Sequence, residues 1–66
     1  MISMCEFKVY TRVEGKLEEV ARGVVKAMME GKSIKLITIL GEVKKIDGVI
    51  IESVDVPNER MVLVKL

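Results

Sequence analysis

Cys5 is the one cysteine among 66 residues, and the chain contains no histidine. Histidine is the commonest general base and the imidazole ligand of many metal sites, so both chemistries lack their usual residue. Ser3, Ser33 and Ser53 have no histidine to activate them, and no G-x-x-x-x-G-K or G-x-G-x-x-G phosphate-binding pattern occurs. These absences predict that the protein is not an enzyme.

Cys5 has two interpretations from the residues alone. It alternates with Phe7 and Val9, and free cysteine is among the most often buried residue types, which favours simple packing on a strand. Cys5 also directly follows Met4, and if translation begins there the thiol lies next to a chain end. Thiolates and nearby backbone amides from two chains could then hold one ion. A planar set of sulfur and nitrogen donors suits Ni(II) or Cu(II), whereas a tetrahedral thiolate-rich set suits zinc.

Lysines form the second candidate site. Eleven basic residues face ten acidic ones, so the net charge of +1 lacks the strong positive field expected of a polyanion binder. Phe7 and Tyr10 are the only aromatic residues, too few for an extended base-stacking platform. The lysines therefore form either a solvated face or a modest nucleic-acid-binding patch. That patch would consist of Lys26, Lys32, Lys35, Lys44 and Lys45.

A small β-rich fold must position these residues. Glycines recur every seven to ten positions from Gly15 to Gly48, a spacing typical of a small sheet or barrel. Residues 5–12 alternate like a half-buried strand, and residues 33–40 are apolar on both faces, like a central strand or one covered by a second subunit. We therefore predict an all-β fold of five to six antiparallel strands, curled toward a barrel. Turns are predicted at 13–16, 31–32, 47–48 and 57–60.

Residues 16–30 fit two kinds of structure. Apolar residues from Leu17 to Met28 follow a helical spacing, which allows a short helical turn near residues 17–22. Gly23 disfavours a continuous helix by about 1 kcal/mol, and the Val24-Val25 pair favours a strand. We therefore predict a strand over residues 24–30 and keep the helical turn as an alternative for 17–22.

Length and composition limit how such a chain is stabilised. A domain of 66 residues has a marginal core, and one cysteine cannot form an internal disulfide. Because 50% of the residues are apolar, we expect part of that surface to meet a second copy in a homodimer. We expect a single domain, with residues 1–4 flexible. The absence of a long apolar run and of a signal-peptide pattern, together with a free cysteine, predicts a cytoplasmic protein without a membrane span.

The order of short motifs from Met4 onward resembles a known family. Met4-Cys5 is followed by a strand ending in VY, then by GKLEEV, EGKSIKL, ILGEVKKI with a following DG, and a closing VD…N…MVLV hairpin. This order resembles the CooT-type small proteins of anaerobic prokaryotes, formerly described as predicted RNA-binding proteins. The resemblance covers nearly the whole chain.

The resemblance implies a small β-barrel-like domain that forms a homodimer. The family's best-understood member binds nickel at the dimer interface through the cysteine after the initiator methionine, and it is linked to maturation of a nickel enzyme, carbon monoxide dehydrogenase. Carried over to this chain, the nickel ligand is Cys5, although residues 1–3 stand ahead of Met4. The leading hypothesis is a nickel carrier or storage protein. An RNA-binding module on the lysine-bearing face and a protein-interaction subunit are the alternatives.

Overall fold

The computed structural model describes residues 6–66, and within that range it contains six β-strands and no helix. The strands form one curled sheet in the order β4-β3-β2-β1-β6-β5. This architecture confirms the predicted all-β class and strand number. The strands are β1 (Phe7–Val13), β2 (Lys16–Glu30), β3 (Ser33–Thr38), β4 (Val43–Asp47), β5 (Val49–Asp55) and β6 (Arg60–Lys65).

Neighbouring strands are antiparallel except at one pair in the sheet. There β1 and β6 run parallel, with Lys8 opposite Arg60 and Arg12 opposite Val64. The purely antiparallel arrangement expected from the sequence is therefore interrupted at one pair. Because parallel strands begin at the same end of a sheet, the first residues of β1 lie beside the turn that precedes β6.

β2 is one long bent strand rather than a helical turn followed by a strand. Its first half pairs with β1 through Val9–Ala21 and Arg12–Leu17, and its second half pairs with β3. Gly23 lies between the halves with a φ of 66°, in the left-handed region that glycine adopts at low cost. The helical turn considered for residues 17–22 does not form, because the backbone groups there pair with β1.

The core lies on the concave face of the sheet. Val9, Leu36 and Leu63 come from three different strands and are fully buried. Residues directly opposite each other in a ladder share a face, so the pairs Val9–Met61 and Val9–Ala21 extend one apolar row across neighbouring strands. The fully buried residues are Val9, Ile34, Leu36, Val49 and Leu63.

The two outermost strands, β4 and β5, are joined by Gly48 alone. The main-chain nitrogens of Gly48 and Val49 both donate to the carbonyl oxygen of Lys32, at 2.7 and 3.1 Å, and Leu66 N donates to Gly48 O at 3.0 Å. The sheet edges therefore meet at the Gly48 end, while no ladder pairs β4 with β5 in residues 6–66. The result is a half-barrel with a closed end at Gly48 and an open end opposite. This helix-free range offers no helix that could cross a bilayer.

Candidate functional site

Cys5, the predicted metal ligand, lies outside the residues that the structure describes. Its covalent neighbour Glu6 is described, and the Glu6 backbone N–H donates to the Glu59 carboxylate, with 3.0 Å between N and Oε2. Two residues further on, Lys8 N donates to the carbonyl oxygen of Glu59, also at 3.0 Å. Glu59 thus holds the beginning of the chain's first strand by two hydrogen bonds, which we call the Glu59 clamp.

The turn at residues 56–59 positions Glu59. The Asp55 carboxylate accepts hydrogen bonds from the Asn58 backbone nitrogen at 3.3 Å and from its side-chain nitrogen at 2.8 Å. These two bonds lower the pKa of Asp55 below its ordinary value. Glu59 N then donates to Val56 O at 3.0 Å, and Glu59 adopts a φ of 51°. The parallel β1–β6 pairing places this turn beside the start of β1.

A polar cleft of about 230 Å³ surrounds the clamp. It contains two carboxylates and two cations, and the Arg60 guanidinium lies 5.8 Å from the centroid of the Tyr10 ring. Carboxylates are hard donors and match a soft-thiolate site poorly. Residues 6–66 contain no group of three or more side chains arranged to hold a metal ion. The cleft is lined by Glu6, Lys8, Tyr10, Asn58, Glu59 and Arg60.

The Glu6 side chain extends toward the bend of β2. A Cβ atom placed on Gly23 would lie 3.6 Å from Glu6 Oε1 and 3.7 Å from Ile39 Cγ2. Ile39 N also donates to Gly23 O at 2.8 Å. The start of β1 therefore lies between the 56–59 turn on one side and the β3–β4 turn on the other, at the open end of the half-barrel.

Six of the eleven exposed large apolar side chains in residues 6–66 lie toward this open end. Leu40 is 83% exposed in the β3–β4 turn, because β3 ends at Thr38 rather than at the predicted residue 40. Nearby, Phe7, Val54 and Met61 line part of an apolar groove of about 210 Å³. We call the exposed members of this surface the apolar rim. They are Val25, Ile39, Leu40, Val43, Val54 and Val56.

The structure places three of the five candidate lysines on one face. Lys35 is directly opposite Lys45 in the β3–β4 ladder, and Lys26 is opposite Ile37, which shares the face of Lys35. This is the convex face, away from the core. Lys35 Nζ lies 3.5 Å from Glu30 Oε2, so part of the positive charge is balanced locally.

The other two lysines are placed differently. Lys44 is opposite the buried Leu36 and so belongs to the concave face, where its Nζ donates to the carbonyl oxygen of Val20. Lys32 lies in the β2–β3 turn and its carbonyl accepts the bonds that close the half-barrel. The five lysines are therefore divided between two faces and a turn. The sheet does not assemble them into one continuous basic surface.

The fold and the clamp define a small curled-sheet protein whose candidate chemistry lies at the beginning of one strand. Residues 4–64 match the family described as CO dehydrogenase accessory protein CooT, so the chain belongs to this family. The match confirms the resemblance seen in the order of the motifs.

The fold is also that of a solved relative. The crystal structure of a protein from Carboxydothermus hydrogenoformans, assigned as CooT, superposes with a TM-score of 0.84. The two chains are 22% identical, and the similarity covers 94% of this chain and 98% of the other. At this identity the similarity shows a shared fold. No curated protein matches the sequence significantly.

Glu59 is the site residue that sequence reasoning missed. The turn around Pro57-Asn58 is recognisable, but its hydrogen bond to Glu6 joins residues 53 positions apart. The signal would have been a parallel pairing of β1 with β6, which follows from strand order rather than from any local pattern. Because of this pairing, Glu59 in the 56–59 turn lies next to Glu6, the residue that follows Cys5.

Proposed function

We propose that this protein is a nickel-binding accessory protein in the maturation of CO dehydrogenase, with nickel as its cargo rather than as a catalytic cofactor. Two Cys5 thiolates, one from each chain of a homodimer, are the proposed ligands. The observation that carries the proposal is the family match, which includes the Met4-Cys5 pair within residues 4–64. In this role the protein is not an enzyme, and it works in the cytoplasm.

The donor set supports a site shared between two chains. Residues 6–66 contain no metal-ligand cluster, and Cys5 is the one cysteine in the sequence. One thiolate cannot fill a coordination sphere, whereas two thiolates with backbone nitrogens satisfy the planar geometry that Ni(II) prefers. A binding site formed in this way would assemble only when two chains associate.

The apolar rim supports association of two chains near Cys5. Cys5 is bonded to Glu6, and Glu6 lies beside Ile39, a member of the rim. A stable interface covers about 800 Å² on each partner, and the rim supplies apolar side chains close to Glu6, the residue that follows Cys5 in the sequence. The homodimer we propose therefore buries the rim and brings the two N-terminal segments together.

Metal binding by this site is expected to depend on pH. A free cysteine thiol has a pKa of about 8.5, and only the thiolate binds metal, so nickel displaces the proton. Nickel affinity should therefore rise with pH. Two thiols per site would make the dependence steeper than for one.

Titration of the reduced protein with Ni(II) tests the proposal. Isothermal calorimetry on the wild type should give one nickel per two chains, with a thiolate-to-nickel charge-transfer band in the absorption spectrum. Cys5→Ala should lose both signals, whereas Ser53→Ala, which removes a hydroxyl on β5, should keep them. Equal binding by the wild type and Cys5→Ala would contradict the proposal.

The dimer has a separate test. Leu40→Glu places a charge in the apolar rim and should shift the protein toward monomer in light scattering. Leu66→Glu is the matched control, because Leu66 is 65% exposed and lies at the Gly48 end. A wild type that is monomeric under nickel-loaded conditions would refute the shared site. Transfer of nickel from the loaded protein to nickel-free CO dehydrogenase then tests the client.

A further inference from the structure

We propose that Lys8 and Arg60 form a binding site for a phosphate group, a site that is separate from the proposed nickel function. The two residues are directly opposite each other in the parallel β1–β6 ladder, so their side chains leave the sheet on the same face. Like charges directly opposite each other on neighbouring strands are destabilising. An anion bound between the two side chains would remove this repulsion.

Neither cation belongs to an ion pair within residues 6–66. The cations of that range that do form ion pairs are Arg12, Arg22 and Lys35. Lys8 and Arg60 both line the polar cleft of about 230 Å³, and both are exposed. Their two positive charges are therefore available to a ligand in the cleft.

The carboxylates near this cation pair are directed at other groups. Glu59 Oε2 accepts a hydrogen bond from Glu6 N at 3.0 Å. Glu6 Oε1 lies beside β2, 3.6 Å from the position that a Cβ atom on Gly23 would occupy. The Asp55 carboxylate accepts hydrogen bonds from the backbone and side-chain nitrogens of Asn58. These contacts explain why carboxylates line the cleft without neutralising the cation pair.

The shape and charge of the cation pair fit a phosphate group. The Arg60 guanidinium lies 5.8 Å from the centroid of the Tyr10 ring, within the range of a cation–π interaction that orients it. A guanidinium donates two parallel hydrogen bonds to an oxyanion, and a lysine adds a compact point charge. A phosphate monoester carries about −1.5 to −2 charges at pH 7, which matches two cations better than a carboxylate does. The ligand class is therefore inorganic phosphate or a small phosphate monoester.

A second pair of opposed cations provides an internal comparison. Lys35 is directly opposite Lys45 in the β3–β4 ladder. Lys35 Nζ lies 3.5 Å from Glu30 Oε2, and neither lysine lines the polar cleft. This pair has no guanidinium to bind an oxyanion in a bidentate manner. We therefore expect phosphate to bind at the Lys8–Arg60 pair and not at the Lys35–Lys45 pair.

Nuclear magnetic resonance of the metal-free, full-length chain tests the site. Inorganic phosphate, added at constant ionic strength against sodium chloride, should shift the Lys8, Tyr10 and Arg60 amide signals in a saturable manner. The Lys35 and Lys45 signals should not respond. Phenyl phosphate should shift the same signals, and its affinity relative to inorganic phosphate distinguishes an ester ligand from the free ion. Dimethyl phosphate, a monoanion, should bind more weakly than either.

Charge-removing variants test the role of each cation. Lys8→Gln and Arg60→Gln should each weaken phosphate binding about tenfold, because each removes a charge-assisted hydrogen bond. Arg60→Lys keeps the charge but loses the planar fork, and its affinity should fall between those of the wild type and Arg60→Gln. Lys45→Gln is the matched control and should bind phosphate like the wild type.

Thermal unfolding gives a second readout. In sodium chloride alone, Lys8→Gln should be at least as stable as the wild type, because the substitution removes the repulsion with Arg60. Phosphate should raise the Tm of the wild type more than that of the variant, since a ligand stabilises the folded state that binds it. The substitution therefore acts in opposite directions on intrinsic stability and on the response to phosphate.

Several results would overturn the inference. One is a response of the Lys35 and Lys45 signals as large as that of the Lys8 and Arg60 signals, which would indicate non-specific screening of charge. Another is binding of dimethyl phosphate as tight as that of inorganic phosphate. Wild-type affinity for phosphate in Lys8→Gln, or lower stability of this variant in sodium chloride, would do the same. None of these measurements involves nickel, so the nickel function is tested independently.

Discussion

Gly23→Ala probes the bend on which the open end of the half-barrel depends. Gly23 has a φ of 66°, and an L-residue in this left-handed region costs about 1–2 kcal/mol. Steric space is not the problem, because the added Cβ would meet Glu6 Oε1 and Ile39 Cγ2 at the ordinary distances of 3.6 and 3.7 Å. Alanine also restricts the unfolded chain, which offsets part of the cost by about 0.4–1 kcal/mol.

The net expectation is a loss of about 1 kcal/mol in the free energy of unfolding. For a domain of this size that corresponds to a decrease in Tm of about 4–8 °C. Circular dichroism during heating and during urea titration measures both quantities. Gly23→Asn is the matched variant, because asparagine tolerates the left-handed region better, and it should lose less stability than the alanine variant.

Two results would refute this reasoning. An alanine variant as stable as the wild type would show that residue 23 does not need the left-handed conformation. Equal losses for Gly23→Ala and Gly23→Asn would show that the side chain, rather than the backbone angle, is responsible. A change in the urea m-value would indicate that the substitution altered the denatured state or the two-state behaviour instead.

Three further predictions concern stability. Leu63→Ala removes a fully buried side chain and should lower the free energy of unfolding in urea by about 2–5 kcal/mol, whereas Ile50→Ala, at an exposed position, should lower it far less. Similar losses for the two variants would show that Leu63 is not part of the core. Glu14→Asn should raise Tm, because Glu14 and Gly15 have φ values of 51° and 79°, a type I′ turn that prefers Asn-Gly; a lower Tm would contradict that turn type. The hydrogen bonds from Asn58 lower the pKa of Asp55, so the stability that they contribute is complete above the unfolded pKa of about 3.9 and is lost as pH falls through the lower folded pKa. Asp55→Ala should therefore reduce the change in Tm between about pH 5 and 2. An unchanged dependence of Tm on pH in this variant would refute the prediction.

Local patterns were sufficient for most of the strands. The alternation in β1 and the two-sided apolar character of β3 each predict a strand that the structure contains. Turn chemistry was equally informative, since Glu14-Gly15 and Gly48 each separate two strands as predicted. These features depend on residues close together in the sequence, so local propensity and turn preference agree with the fold.

Features that depend on distant pairing could not be predicted. The spacing from Leu17 to Met28 fits a helix, but β1 and β3 supply hydrogen-bond partners that favour a long strand bent at Gly23. The parallel β1–β6 pair and the Glu59 clamp join opposite ends of the chain. Cys5 itself lies outside the described residues, so its role as a ligand stays a prediction.

The single-residue link at Gly48 determines where strands β4 and β5 can move apart. The outer strands β4 and β5 cannot separate at that junction, because the chain continues directly from one to the other and Lys32 O holds the nitrogens of Gly48 and Val49. If the distance between β4 and β5 increases, it must therefore increase most at the ends far from Gly48, near Val43 and Asp55. The greatest amplitude of this motion therefore falls at the open end of the half-barrel, beside the start of β1, and it needs no ladder to break.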